Sequence, residues 1–410
     1  MANRPLTILL AGIGINLSIG VLYAWSVFKD ALIADLGWTA TQASTPYSVA
    51  IVVFSIATLT AGVLQDKIGP RKIIMIGGSL VGLGMIASGL LTSPTAMVLT
   101  FGIAVGTGIG FAYACVTPAA MKWWHPSKKG MVSGLIVGGF GLGAVYVAPL
   151  TKALVNSFDI QTAFVILGTG IIIVSVGLGM TVVNPPEGYK PAAPKNVATK
   201  AATAGLEMTW REMIKTRQFY FLLSMFALAS SAGVMLIGTI TQVANVQVGL
   251  ESAVYLVGLL AVANASGRIL GGIVSDKIGR VNTLIIVFLL QAANMWFFMH
   301  ISTEIMLIAG AIGGAVFYGT LLSVFPSLTA DYFGLKGYGA NYGLVYLGWG
   351  LSGALGPVMA SLSVDMTGSF NTAYAASAAM LVLAAVIAFM TKAPVAAPVA
   401  ARKDAVVAAE

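Results

Sequence analysis

Charge is scarce in this 410-residue chain. Only 9% of its residues are Asp, Glu, Lys or Arg, while 58% are hydrophobic, and mean hydropathy is +0.92. Soluble domains carry roughly 25% charged residues, so a soluble globular class is excluded. There is one cysteine, Cys115. That rules out a disulfide framework and any cysteine-based metal site. The two histidines, His125 and His300, fall outside the apolar runs or at their edge, so no metal site is expected. No Gly cluster is followed by a Walker Lys-Ser/Thr, and Gly106-x-Gly108 opens no strand-to-helix turn, so an ATP-driven motor is not expected either. The net charge of +8 would suit nucleic acid, but the basic residues sit in short loops between apolar segments. No cofactor and no nucleic-acid partner is expected.

What is present is a series of apolar runs, each long enough to cross roughly 30 Å of hydrocarbon. Twelve are expected, at about 6–28, 43–65, 73–92, 96–121, 131–155, 162–183, 219–245, 253–274, 282–300, 304–330, 338–363 and 371–391. The first is too long for a signal-peptide core and has no small-x-small cleavage site, so it reads as a retained helix. The fold class is therefore an all-α membrane protein with 12 transmembrane helices in a lipid bilayer. Of the 22 Lys and Arg residues, 19 fall on one face of this arrangement, only Lys29 and Lys152 on the other, and Arg268 inside the membrane. The positive-inside rule then places both termini in the cytoplasm.

Residues 184–218 form the one long break, with Pro185, Pro186, Pro191 and Pro194 among Ala, Thr and Lys. They read as a cytoplasmic linker between an N-terminal six-helix half, 1–183, and a C-terminal half, 219–391, with a tail at 392–410. The segment 210–216 suits a short interfacial helix. The halves repeat. Gly62-x-x-x-Asp66-Lys-Ile-Gly-Pro-Arg71 returns as Gly272-x-x-x-Asp276-Lys-Ile-Gly-Arg280. Pro118 pairs with Pro326, Pro149 with Pro357, Gly139-Phe-Gly-Leu with Gly348-Trp-Gly-Leu, and Thr162-Ala-Phe with Thr372-Ala-Tyr, all at offsets of 208 to 210. A parallel duplication with pseudo-two-fold symmetry follows, and substrate sites in such proteins lie at the midplane between the repeats. Asp66, Arg71, Asp276 and Arg280 sit at the cytoplasmic ends of helices. They suit a gate that latches one conformation, with the ordinary basic loops of the inner face as the alternative.

Arg268 stands inside the eighth run with no acidic residue beside it. A cation at membrane depth is costly and marks a substrate or ion pathway. Asn264 precedes it by one helical turn and shares its face. An Arg fork matches a carboxylate bidentately, and the Asn amide reaches a neighbouring oxygen or another helix. Counting back from Asp66, the first-half counterpart of Arg268 is Thr58, so the charge belongs to one half only. Tyr23, Tyr113 and Tyr318 lie at matching depth. Tyr342, Tyr346 and Trp349 share a face of the eleventh run. These six suit the walls of a polar pocket, and each also suits plain packing. Gly130, Gly134 and Gly138, Gly139 and Gly143, and Gly267 and Gly271 repeat at four-residue spacing, which permits close helix packing with or without sliding.

The duplicated loop resembles the signature of the major facilitator superfamily. The stretch from Trp123-Trp-His-Pro-Ser-Lys-Lys-Gly130 to Gly143 resembles the monocarboxylate transporter family's motif entering helix 5, and Asp66 to Arg71, Ser275 to Arg280 and Phe325-Pro-Ser327 resemble its oxalate:formate antiporter relatives. The resemblance spans about 6–391 and implies a major facilitator fold. In the family the helix-8 Arg binds the substrate carboxylate, a role that maps onto Arg268. Animal members carry an Asp at the position of Asn264 and a substrate Lys where Val27 stands here. The oxalate antiporters carry a second cation where Trp349 stands. With one cation, a dianion would leave one carboxylate unpaired, and a buried unpaired charge is expensive. The resemblance therefore implies a monomeric secondary transporter of small monocarboxylates, of the L-lactate and pyruvate kind, in a bacterial cytoplasmic membrane. Proton symport by alternating access is expected, with a carboxylate exchanger of the oxalate/formate type as the alternative. An enzyme is not expected, because no intramembrane nucleophile–base set is visible.

Overall fold

The computed structural model describes residues 4–186, 188, 189, 191, 207–250 and 253–394. Twelve helices among them are long and apolar enough to cross a membrane. They are α1 (Arg4–Ala24), α2 (Thr45–Ile68), α3 (Pro70–Leu90), α4 (Pro94–Met121), α5 (Pro126–Ser157), α6 (Ile160–Gly179), α7 (Arg217–Val248), α8 (Tyr255–Ile278), α9 (Arg280–Phe298), α10 (Glu304–Phe333), α11 (Tyr338–Val364) and α12 (Asn371–Met390). Helical backbone satisfies every main-chain polar group within the segment, which is the requirement a hydrocarbon solvent imposes.

Local chemistry sets the boundaries. The backbone of α1 tightens to a 3-10 turn at Gly20–Ala24 and then continues as a helix through Trp25–Leu36. The apolar run predicts an end near residue 28, because Lys29 and Asp35 lower the hydropathy. The helix itself stops only at Gly37, whose φ of 66° closes it in the left-handed region. The helix containing α2 begins at Ala40 behind a capping box of Thr39 and Gln42. Gly69 (φ 84°) is the single residue between α2 and α3, and Gly279 (φ 93°) the single residue between α8 and α9. Only glycine takes that backbone without strain, which gives the duplicated Lys-Ile-Gly its purpose.

The duplication is visible in the packing. In the first half α3 packs on α6, α2 on α4 and α1 on α5; in the second α9 packs on α12, α8 on α10 and α7 on α11. The principal contacts between halves are α5 on α8 and α2 on α11, and the pseudo-two-fold exchanges these two pairs. At the end of the bundle that carries the linker, a Cβ built on Gly62 would lie 1.9 Å from the Gly339 carbonyl oxygen, and one on Gly130 would lie 2.3 Å from that of Gly272. Backbones that close need small residues on both sides. The glycines of α5 divide the labour. Gly130, Gly134 and Gly138 face α8, whereas Gly139 and Gly143 face α1.

Of the linker expected at 184–218, residues 187, 190 and 192–206 lie outside the described residues, as does the tail beyond residue 394. The linker's last stretch is ordered against the second half. Met208 N–H donates to the Phe333 carbonyl (3.0 Å), and the Lys336 N–H donates to Glu207 Oε2 (2.6 Å). A capping box of Thr209 and Glu212 starts a single helical turn, Trp210–Met213, shorter than the 210–216 expected.

Candidate functional site

Arg268 lies on α8 with 1% of its surface exposed. Its Nε donates to Asn264 Oδ1 at 2.8 Å, one turn earlier on the same helix. Its Nη1 donates to the Val137 carbonyl on α5 at 2.7 Å, and its Nη2 to the Tyr23 hydroxyl on α1 at 3.2 Å. The guanidinium also stands 5.8 Å from the centre of the Tyr23 ring. Gly141 on α5 makes room for it, since a Cβ there would be 3.3 Å from Cζ. All of these partners are neutral, and among the described residues no carboxylate pairs with Arg268. Five N–H groups on the fork and three protein bonds leave two donors for another acceptor. The Asn264 Nδ2 donates to the Ala315 carbonyl on α10 (3.4 Å), so Asn264 both links helices and orients the fork.

An aromatic box adjoins this cation. The Tyr23 and Phe140 rings meet edge-on at 5.3 Å, and Phe140 meets Tyr113 at 5.2 Å. Phe54 on α2 touches Tyr113 (5.5 Å), Tyr346 (5.8 Å), Trp349 (5.8 Å) and Phe140 (6.0 Å). On α11 the rings of Tyr338, Tyr342, Tyr346 and Trp349 form a row with centroids 5.0 to 5.6 Å apart, stacked at both ends and tilted by 52° between Tyr342 and Tyr346. The Trp349 indole donates to the Tyr318 hydroxyl at 2.7 Å. The Tyr342 hydroxyl is buried and interacts with that of Tyr113.

The expected site residues thus fall into one neighbourhood. Arg268, Asn264 and Tyr23 are directly bonded, and Tyr113, Tyr346, Trp349 and Tyr318 are linked through rings and one hydrogen bond. Tyr342 lies one ring further toward the linker. Phe54, Phe140, Gly141 and the Val137 carbonyl also belong to it and are absent from the sequence-based set. A main-chain carbonyl has no sequence signal. Phe54 had one, because the offset that aligns Asp66 with Asp276 aligns Phe54 with Asn264.

At the linker end the two duplicated aspartates each reach across the halves to the start of a helix. Asp276 accepts from the Gly130 N–H (2.9 Å) and the Met131 N–H (2.7 Å) in the first turns of α5. Asp66 accepts from the Ala340 N–H (3.4 Å) in the first turn of α11. A carboxylate at a helix N-terminus satisfies orphan donors and complements the helix dipole. Arg280 pairs with Asp276 within its own half at 2.5 Å and with Asp331 at 3.0 Å, and Lys129 of the first half pairs with Asp331 at 3.1 Å. Lys129–Asp331 is therefore an ion pair that crosses the halves. Arg71 is exposed and pairs with no carboxylate among the described residues. Lys122, just beyond α4, is held below the usual lysine range by burial, partly offset by the negative charges of Asp66 and Glu207.

Known proteins resemble this chain in sequence and fold. The family described as the Major Facilitator Superfamily matches residues 6–303 and 261–409. The chain is similar to an uncharacterized transporter of that type from Escherichia coli (strain K12), at 29% identity over 82% of each chain. It is similar to the oxalate:formate antiporter of Oxalobacter formigenes, at 28% identity over 84% of this chain and 81% of that one. It is similar to monocarboxylate transporter 13 of Rattus norvegicus, at 24% identity over 88% and 82%. In fold it resembles FucP in the outward conformation, with a TM-score of 0.70, 15% identity, and 93% and 98% of the two chains covered. A duplicated six-helix bundle, a mirrored pair of glycine-packed, aspartate-capped contacts and a family match along nearly the whole sequence converge, and the chain belongs to the major facilitator superfamily of transporters.

Proposed function

We propose that the protein is a secondary active transporter of small monocarboxylates, of the L-lactate and pyruvate type, working by alternating access of the two halves around Arg268. The observation that carries this reading is the Arg268 guanidinium, buried among neutral partners with two N–H donors to spare. An anion supplies the missing charge, and a carboxylate fits the fork in a way that a neutral sugar does not. A single cation, with Trp349 and Phe54 in the adjoining aromatic box, favours one carboxylate with a short, largely apolar tail over a dianion. The names of the relatives, an oxalate:formate antiporter and a monocarboxylate transporter, agree with carboxylate chemistry.

The protein acts as a monomer in the bacterial cytoplasmic membrane with both termini and the linker in the cytoplasm, on the reading that basic residues stay inside. In that orientation Asp66, Asp276, Arg280, Asp331 and Lys129 form the cytoplasmic gate. Proton symport is the favoured coupling, because an inside-negative potential opposes entry of a lone anion by about 2.3 kcal/mol per 100 mV. Proteoliposomes test the reading. An inward pH gradient drives lactate uptake into empty vesicles if the protein is a symporter. Uptake seen only with carboxylate preloaded inside would instead establish an exchanger of the oxalate/formate type.

A further inference from the structure

The duplication gives the central site two poles. Counting from the paired aspartates, Asn264 and Arg268 on α8 correspond to Phe54 and Thr58 on α2. The pseudo-two-fold that exchanges α8 with α2 thus carries the polar pair onto an apolar one. Thr58 does not restore polarity, because its hydroxyl donates to the Phe54 carbonyl of its own helix (2.9 Å). Ser55 likewise spends its hydroxyl on Ile51 (3.2 Å). At the level of the site this face of α2 therefore presents the Phe54 ring, with both neighbouring hydroxyls donating to their own helix.

Phe54 is also a ring at which the halves meet. It is 1% exposed and touches Tyr113 and Phe140 of its own half together with Tyr346 and Trp349 of the other. Phe140 connects it to Tyr23, and Tyr23 holds Arg268. Trp349 connects it to Tyr318. A ligand anchored by Arg268 and extending away from α8 along this wall meets the Phe54 ring. The backbone behind Phe54 has no slack, because Gly110 of α4 packs with its Cα against the Phe54 carbonyl and the Ala57 methyl.

We propose that Phe54 is a specificity-determining residue that limits the length of the substrate's tail, as the apolar pole opposite Arg268. The inference rests on the carboxylate reading above. It adds that the repeat's loss of symmetry, one polar pole and one aromatic pole, selects for short monocarboxylates.

The test compares wild type, Phe54→Leu and Phe54→Ala in detergent. Affinities for acetate, propionate, butyrate, valerate and hexanoate are measured by calorimetry, with Arg268→Ala alongside. The wild-type affinity peaks at a short chain and falls beyond it. Phe54→Ala moves the peak to a longer chain, with affinity rising about fourfold for each methylene newly accommodated. Phe54→Leu, which keeps a large side chain and a packed core, moves it by less. The same chain-length profile in all three proteins, whether at full or uniformly weakened affinity, would overturn the assignment of Phe54 while leaving the carboxylate site intact. Failure of the wild type to bind any of the series, or full binding by Arg268→Ala, would instead remove the carboxylate reading and this inference with it.

Discussion

The Nη1 of Arg268 on α8 donates a 2.7 Å hydrogen bond to the main-chain carbonyl of Val137 on α5. The cation of the candidate site is therefore also a tie between the two halves. On the proposed reading, a carboxylate that takes the two remaining N–H groups binds the same side chain that holds α5 against α8, which would couple binding to rocking.

Replacing Arg268 is expected to abolish carboxylate binding. Truncating one partner of a buried, hydrogen-bonded charge contact costs roughly 2–5 kcal/mol, so Arg268→Ala raises the dissociation constant by about 30-fold or more. Arg268→Lys fails to rescue, since an ammonium cannot bond Asn264, Val137 and Tyr23 while also gripping a carboxylate bidentately. Calorimetry with lactate reads both.

The two gate aspartates are expected to differ in weight. Asp276 accepts two backbone N–H groups at 2.7 and 2.9 Å, while Asp66 accepts from Ala340 at 3.4 Å. Asp276→Asn removes the charge that complements the α5 N-terminus and weakens closure at the linker end by about 1–2 kcal/mol. Asp66→Asn has a smaller effect. Spin-label distances across the linker end show a larger shift toward the open state for Asp276→Asn; equal shifts would count against the geometry.

Close approach at Gly62 is expected to be indispensable. A Cβ there would sit 1.9 Å from the Gly339 oxygen, whereas one on Gly170 meets nothing within 4 Å. Gly62→Ala separates α2 from α11 and costs about 1–3 kcal/mol of closure. Gly170→Ala leaves transport at wild-type level. Initial uptake rates in proteoliposomes compare the pair.

Trp349 and Tyr318 are expected to behave as one unit. Trp349→Phe leaves the buried Tyr318 hydroxyl without its 2.7 Å donor, at a cost of about 1–3 kcal/mol. Tyr318→Phe strands the indole N–H in the same way. The double variant loses both groups together and is less destabilised than the sum of the single variants. Thermal unfolding in detergent gives the coupling, and strict additivity would show that the bond contributes nothing.

Much of the fold was legible because a hydrocarbon solvent writes simple rules. Apolar length marks each span, Lys and Arg mark one face, and two copies of Gly-x-x-x-Asp-Lys-Ile-Gly mark the repeat. Helix ends were less legible, as in α1, because hydropathy reports the edge of the membrane and the backbone continues to the glycine that stops it. At the site, Arg268, Asn264 and Tyr23 announced themselves by being polar where polarity is costly. Phe140 did not, because an aromatic ring in an apolar run looks like every other core residue until its neighbours are known, and Phe54 is marked only by its alignment with Asn264 across the repeat.

The sequence by itself determined the twelve helices, their duplication, and the single cation that belongs to one half. These follow from composition, spacing and the cost of burying charge. Only the tertiary structure decided that Arg268 is tied to the Val137 carbonyl, that Asp276 and Asp66 cap α5 and α11, and that Lys129 pairs with Asp331 across the halves. The reason is physical. A carbonyl or an amide N–H is the same in every residue, so its availability is set by where helices end and how closely glycines let them approach.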